Sequence, residues 1–155
     1  MAAKEPAPAV IEAARRLGPG LALDIACGAG RHAIWLHQKG WQVTAVDRDE
    51  AAIAELQQTF PQIDSRVVDL EQSPFRITPA GFDLIVCWLY LQRDLYPAIA
   101  TGLRPGGMAA LSVLLKGRFA AQPGELESHF PGWQILHQAG NERMAELVTI
   151  KPHQQ

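Results

Sequence analysis

Cysteine is nearly absent: Cys27 and Cys87 are the only two in 155 residues. They are too far apart for a metal-ligand pair and too few for a disulfide framework, as expected of a cytoplasmic chain with reduced thiols. No apolar run approaches the ~20 residues that cross a bilayer, so no membrane partner is expected. The opening Met-Ala-Ala-Lys-Glu-Pro-Ala-Pro lacks the apolar core of a signal peptide. Charge of one sign is missing too, with 14 Lys and Arg against 16 Asp and Glu. Without a basic stripe there is no electrostatic footprint for nucleic acid, and a small, weakly charged substrate is the expectation. The five histidines form no ligand constellation, so no metal is expected. Repeats, linkers and low-complexity tracts are also missing, which reads as one domain over 1–155.

What is present is an alternation of strand-like and helix-like segments. Val10 to Leu17 has helical spacing, stopped by Gly18-Pro19-Gly20. Leu21 to Ala26 is a short apolar run, as expected of a strand buried on both faces. A turn at Cys27-Gly28-Ala29-Gly30 leads to a helix from Arg31 to Lys39, closed by Gly40. Trp41 to Val46 is a second strand, and Asp49 caps a helix over Glu50 to Thr59. Arg66 to Val68 is a brief third strand, and Leu70 to Gly81 is irregular around Pro74 and Pro79. Phe82 to Cys87 is a fourth strand, followed by a helix capped by Asp94 and ending near Leu103. Arg104-Pro105-Gly106-Gly107 reads as a turn before a fifth strand, Met108 to Leu115. A short helix from Gly124 to Phe130 precedes strands at Trp133 to Gln138 and Ala145 to Ile150, whose short connection permits only an antiparallel pair. The expectation is a doubly wound, Rossmann-like α/β fold with a seven-stranded sheet, mostly parallel and finished by a C-terminal antiparallel hairpin.

The chemistry is concentrated at the first strand-to-helix turn. Gly28 and Gly30 let a ligand approach the backbone, and the next helix aims its free N–H groups and positive dipole end there. Gly28 to Ala33 reads G-x-G-x-x-A, which also fits a dinucleotide fingerprint, so a nicotinamide-dependent oxidoreductase stays open. Three acids sharpen the pattern. Asp24 interrupts an apolar strand and needs a partner. Asp47 follows the second strand at the spacing of a ribose-binding acid, where two cis hydroxyls suit a bidentate acceptor. Asp69 follows the third strand and suits an exocyclic amino group.

These residues carry a resemblance. Asp24-Ile-Ala-Cys-Gly-Ala-Gly-Arg31 resembles motif I of the class I S-adenosylmethionine-dependent methyltransferases. Asp47, Val68-Asp69, Phe82-Asp-Leu-Ile-Val86 and Leu103-Arg-Pro-Gly-Gly107 are similar to that class's later motifs. Within it, Cys27-Gly-Ala-Gly-Arg31, Arg66-Val-Val-Asp-Leu70, Gly124-Glu-Leu126 and Pro131-Gly-Trp133 resemble the tellurite-resistance methyltransferases. The resemblance implies S-adenosylmethionine as cofactor and S-adenosylhomocysteine as product. It implies a cofactor site of Asp24, Ala26, Cys27, Gly28, Gly30, Arg31, Asp47, Arg48, Asp69, Leu70, Cys87 and Trp88. The acceptor is expected to be a small molecule, a thiol or a selenium or tellurium oxyanion. A non-catalytic module binding the same cofactor is the remaining alternative.

The sequence departs from the class in two ways. Ala26 stands where glycine is usual, and the N-terminal lid and much of the loop before Gly124 are missing. Arg31 reads as a partner for the cofactor carboxylate or an oxyanion substrate, or else as a surface arginine; His32 reads as an exposed first-turn residue; Trp88 reads either as a wall of the cleft or as core packing. Cys27 and Cys87, ending neighbouring strands, are expected near one another as buried, inert thiols. No catalytic base is evident, and methyl transfer needs none when the nucleophile is soft. With the lid missing, either the 116–124 segment closes as a flap or a homodimer covers the cleft.

Overall fold

The computed structural model describes residues 4–72 and 75–153. Its seven strands are β1 (Leu21–Ile25), β2 (Gln42–Asp47), β3 (Asp64–Val67), β4 (Phe82–Cys87), β5 (Leu103–Leu114), β6 (Gln134–Gly140) and β7 (Met144–Ile150). They lie in the order β3-β2-β1-β4-β5-β7-β6. The first five run parallel, and β7 is antiparallel to both β5 and β6. This is the expected doubly wound, seven-stranded sheet with an antiparallel C-terminal hairpin.

Among the described residues five helices cover the two faces: α1 (Pro8–Leu17), α2 (Arg31–Gln38), α3 (Glu50–Thr59), α4 (Leu95–Gly102) and α5 (Glu125–Ser128). Strand side chains alternate between two cores. Ala22, Leu84 and Val86 pack with α1, α2 and α3 through Val10, Leu36 and Ile53. Leu23, Ile25 and Ile85 pack on the other face with α4 and α5 through Ile99 and Leu126. Burial on both faces explains why β1 and β4 read as continuous apolar runs. Each fully buried Leu or Ile contributes ~1.5–3 kcal/mol.

Three local expectations are corrected. β5 starts at Leu103, with no turn at Arg104–Gly107. Leu103 pairs with Phe82 and Met108 with Leu84, so Asp83 alone faces four residues of β5. The bulge stays in the sheet because Gly106 N–H donates to Lys151 O and Lys151 N–H to Gly107 O, both at 2.8 Å. A Cβ on Gly107 would meet the backbone oxygens of Asp83 and Arg104 at 2.8 and 2.9 Å, so glycine is required. β3 begins at Asp64, two residues early; being the edge strand, it exposes Asp64 and Arg66, which form an ion pair on the surface. Asp94 occupies the N-cap of α4 in helical backbone geometry, and its carboxylate caps nothing. Asp49 does cap α3, accepting from Ala52 N–H at 3.1 Å. Part of the irregular 70–81 stretch, Ser73 and Pro74, lies outside the described residues.

Candidate functional site

The carboxyl ends of the parallel strands open into two adjoining cavities that share Ala26 and Trp88 as a common wall. The larger, of about 470 Å³, is lined by Asp47, Arg48, Val68, Asp69, Leu70 and Glu71, then by Leu89, Tyr90, Leu91, Leu114 and Phe119. The smaller, of about 260 Å³, is lined by Lys4, Asp24, Cys27, Gly28, Ala29, Arg31 and His32.

The turn after β1 is built tightly. Cys27 N–H donates to Val46 O and Gly30 N–H to Cys27 O, each at 3.0 Å. Gly28 N–H donates to Asp47 Oδ2 at 2.8 Å, and Asp49 N–H to Asp47 Oδ1 at 2.9 Å. Asp47 is thereby fixed in the larger cavity, and each of its oxygens keeps a lone pair for a ligand. Asp69 is oriented by one bond, accepting from Glu71 N–H at 3.0 Å. Gly28 has φ +57°, and a Cβ there would meet nothing within 4 Å, so the backbone faces open space. Ala26 has φ +57° as well, a left-handed conformation that glycine adopts more freely. That is a physical reason for the class's glycine at this position.

Asp24 is 2% exposed, and its Oδ2 has no hydrogen-bond partner among the described residues. Burial pushes its pKa up to about 7, with the Asp47 charge adding and the Ala33 backbone and Arg31 opposing. A buried carboxyl with a vacant acceptor beside a cavity suits a ligand ammonium group. Together with the open space at Gly28, it fits the amino-acid end of S-adenosylmethionine. The N-terminus of α2 adds its dipole and free N–H groups on the same side.

His32 differs from expectation. It is 4% exposed and packs edge-on against Trp88, ring centroids 5.8 Å apart. Ala7 N–H donates to its Nε2 at 3.1 Å, and burial, with Arg31 adding, lowers its pKa to about 4. Arg31 Nη1 donates to Glu5 O at 3.2 Å. Two residues of α2 thus tie the strap at 4–7 beside the smaller cavity, where Lys4 joins the lining. This strap carries no local sequence signal, because its anchors lie 25 and 26 residues away.

Of the twelve expected cofactor residues, ten line one cavity or the other. Gly30 lies behind the turn, where a Cβ would press on Leu56 at 3.1 Å. Cys87 faces the opposite core from Cys27, so the two thiols do not converge. Burial raises the Cys87 pKa to about 12 and pushes Cys27 up as well, which keeps both protonated. Sequence reasoning missed Leu89, Tyr90, Leu91 and Leu114, which follow or end strands and carry no motif. Among the described residues no group of His, Cys, Asp or Glu could hold a metal ion.

A methyltransferase domain model matches residues 22–107. The chain is 28% identical to the probable S-adenosyl-L-methionine-dependent methyltransferase TehB of Haemophilus influenzae, over 89% of this chain and 54% of that protein. It therefore spans about half the length of the curated relative it matches. The crystal structure of H. influenzae TehB superposes with a TM-score of 0.81 at 21% identity, covering 92% of this chain and 61% of that one. An S-adenosylmethionine-dependent methyltransferase from Mesorhizobium loti gives 0.78 at 17% identity, over 93% and 96%. Burkholderia thailandensis 1,6-didemethyltoxoflavin-N1-methyltransferase, solved with bound 1,6-didemethyltoxoflavin and S-adenosylhomocysteine, gives 0.71 at 20% identity, over 94% and 77%.

Proposed function

The chain belongs to the methyltransferase-domain family, and from that membership we propose that it is an S-adenosylmethionine-dependent methyltransferase acting on a small-molecule acceptor. The observation that carries this reading is the buried Asp24 carboxyl, whose Oδ2 has no partner among the described residues, beside the open Gly28 backbone.

The cofactor, when bound, supplies a methyl group on a sulfonium, already activated for attack. The remaining work falls to positioning. Asp47, held by two backbone N–H groups, offers its free lone pairs to the paired ribose hydroxyls. Asp69, with Leu70 beside it, receives the adenine amino group. Asp24 accepts from the ammonium group, and Arg31 faces the carboxylate. Trp88, 8% exposed and common to both cavities, would shield the bound sulfonium from water and stabilise the cation through its π-system. Alignment of nucleophile, methyl carbon and sulfur then supplies much of the barrier lowering.

The acceptor class proposed is a thiol or a selenium or tellurium oxyanion. The charge balance, −2 at pH 7, favours it over nucleic acid. A cytoplasmic location fits the two reduced cysteines, and no described helix is long and apolar enough to cross a membrane.

The test is a calorimetric titration with S-adenosylhomocysteine on the parent and on Gly28→Val. The branched side chain would occupy the open space and demand a left-handed backbone. The expected outcome is saturable binding by the parent and none by a variant whose circular dichroism is unchanged. A folded variant with parental affinity would remove the glycine turn from the site.

A further inference from the structure

The larger cavity is not uniform along the sheet. At the β3 and β2 ends it is lined by Asp69, Glu71, Asp47 and Arg48. At the β4 and β5 ends it is lined by Trp88, Leu89 and Leu114, with Phe119 from the loop beyond. Among the described residues five large apolar side chains are exposed, and three of them, Leu89 at 44%, Leu114 at 45% and Phe119 at 71%, meet at this one wall. Apolar exposure concentrated at a cavity marks a binding surface. Leu89 also holds φ +55°, a left-handed conformation that costs a non-glycine residue free energy and recurs at functional sites.

Resting on the methyl-transfer reading above, we propose that this wall is the acceptor subsite and that it selects an apolar alkyl or aryl thiol over a charged oxyanion. An oxyanion would shed water here without gaining a cationic partner. Arg48 stands at the acidic end, and Arg118, whose guanidinium lies 5.5 Å from the Phe119 ring, does not line the cavity. The Tyr90 hydroxyl donates to Gln92 Oε1 at 2.6 Å and is already engaged. No side chain of the wall is placed to take a proton, so the acceptor must arrive as thiolate, its proton left with water. The thiolate sulfur forms the bond to the methyl carbon as the bond from carbon to sulfonium breaks. The electron pair of that bond returns to the departing sulfur, and one anion and one cation become two neutral thioethers.

The experiment compares kcat/KM for propane-, butane-, pentane- and hexanethiol with selenite and tellurite. Each added methylene should raise kcat/KM about twofold to fourfold as it enters the wall, with both oxyanions below every thiol. Independently of turnover, hexyl methyl sulfide should bind saturably to the chain loaded with S-adenosylhomocysteine, followed by saturation-transfer NMR. Phe119→Asp alters an exposed side chain, so it should stay folded and bind S-adenosylhomocysteine within about twofold of the parent. It should flatten the thiol series and abolish sulfide binding. A flat series in the parent, or preferred oxyanions, with S-adenosylhomocysteine still bound, overturns the thiol assignment alone. Failure to bind S-adenosylhomocysteine overturns the methyl-transfer reading and the thiol assignment with it.

Discussion

Asp24 and His32 occupy the same cavity and respond to acid in opposite senses. Asp24 has its pKa raised from 3.8 to about 7 by burial, so the folded chain holds a proton that the unfolded chain has lost. Its contribution to stability is fully present below pH 3.8 and is lost as pH rises to about 7. His32 has its pKa lowered from 6.5 to about 4, so its contribution is present above 6.5 and lost as pH falls toward 4. The two are worth at most roughly 4 and 3 kcal/mol respectively, and because their slopes oppose they largely offset one another between pH 4 and 6.5 in the parent. Asp24→Asn should leave a stability that drops with acid between pH 6.5 and 4. His32→Gln, which keeps an acceptor for Ala7 N–H, should leave one that rises with acid over the same span. Urea unfolding across pH 4–7.5, taken as differences from the parent, checks both. Difference curves without slope would disprove the two assignments.

At the scale of elements, legibility followed burial. β1 and β4 were readable because strands covered on both faces leave nearly continuous apolar runs. β3 was half hidden because an edge strand is written in Asp64 and Arg66. The start of β5 was hidden because Pro105-Gly106-Gly107 has turn composition, whereas the bonds that keep it in the sheet come from Lys151. Asp47, Asp69 and the glycine turn were legible as acids and glycines at strand ends. The apolar wall was not, since Leu89 and Leu114 differ from core leucines only in what surrounds them. The expected flap is an element whose motion is open to measurement. Ala121 is buried and its N–H donates to Leu114 O at 2.8 Å, which anchors one end, while Phe119 stands exposed. Hydrogen exchange at 117–120 should slow when S-adenosylhomocysteine and hexyl methyl sulfide are both bound, while Ala121 stays protected throughout. The alternative cover, a homodimer, would show as twice the 17.0 kDa mass in light scattering. A monomer whose 117–120 amides exchange equally fast in both states excludes both covers.

For the whole molecule, ligand binding and stability are linked. S-adenosylhomocysteine at 100 times its Kd should stabilise the folded chain by ~2.7 kcal/mol. For a chain of this size that raises Tm by roughly 5–10 °C. NADH at the same concentration should leave Tm unchanged, and a comparable NADH shift would revive the nicotinamide reading. Thermal unfolding followed by circular dichroism gives both values.

The sheet order has a further consequence for biosynthesis. β6 emerges from the ribosome before β7, yet β7 lies between β5 and β6 and supplies every pairing that β6 makes. Until residues 144–150 are released, the 103–114 strand presents an open edge of N–H and C=O groups, and 134–140 has no strand beside it. A nascent chain stalled short of Met144 would therefore be prone to edge-to-edge association and would be a client for chaperones. Insertion of the last strand between two earlier ones closes the sheet only after translation has passed it.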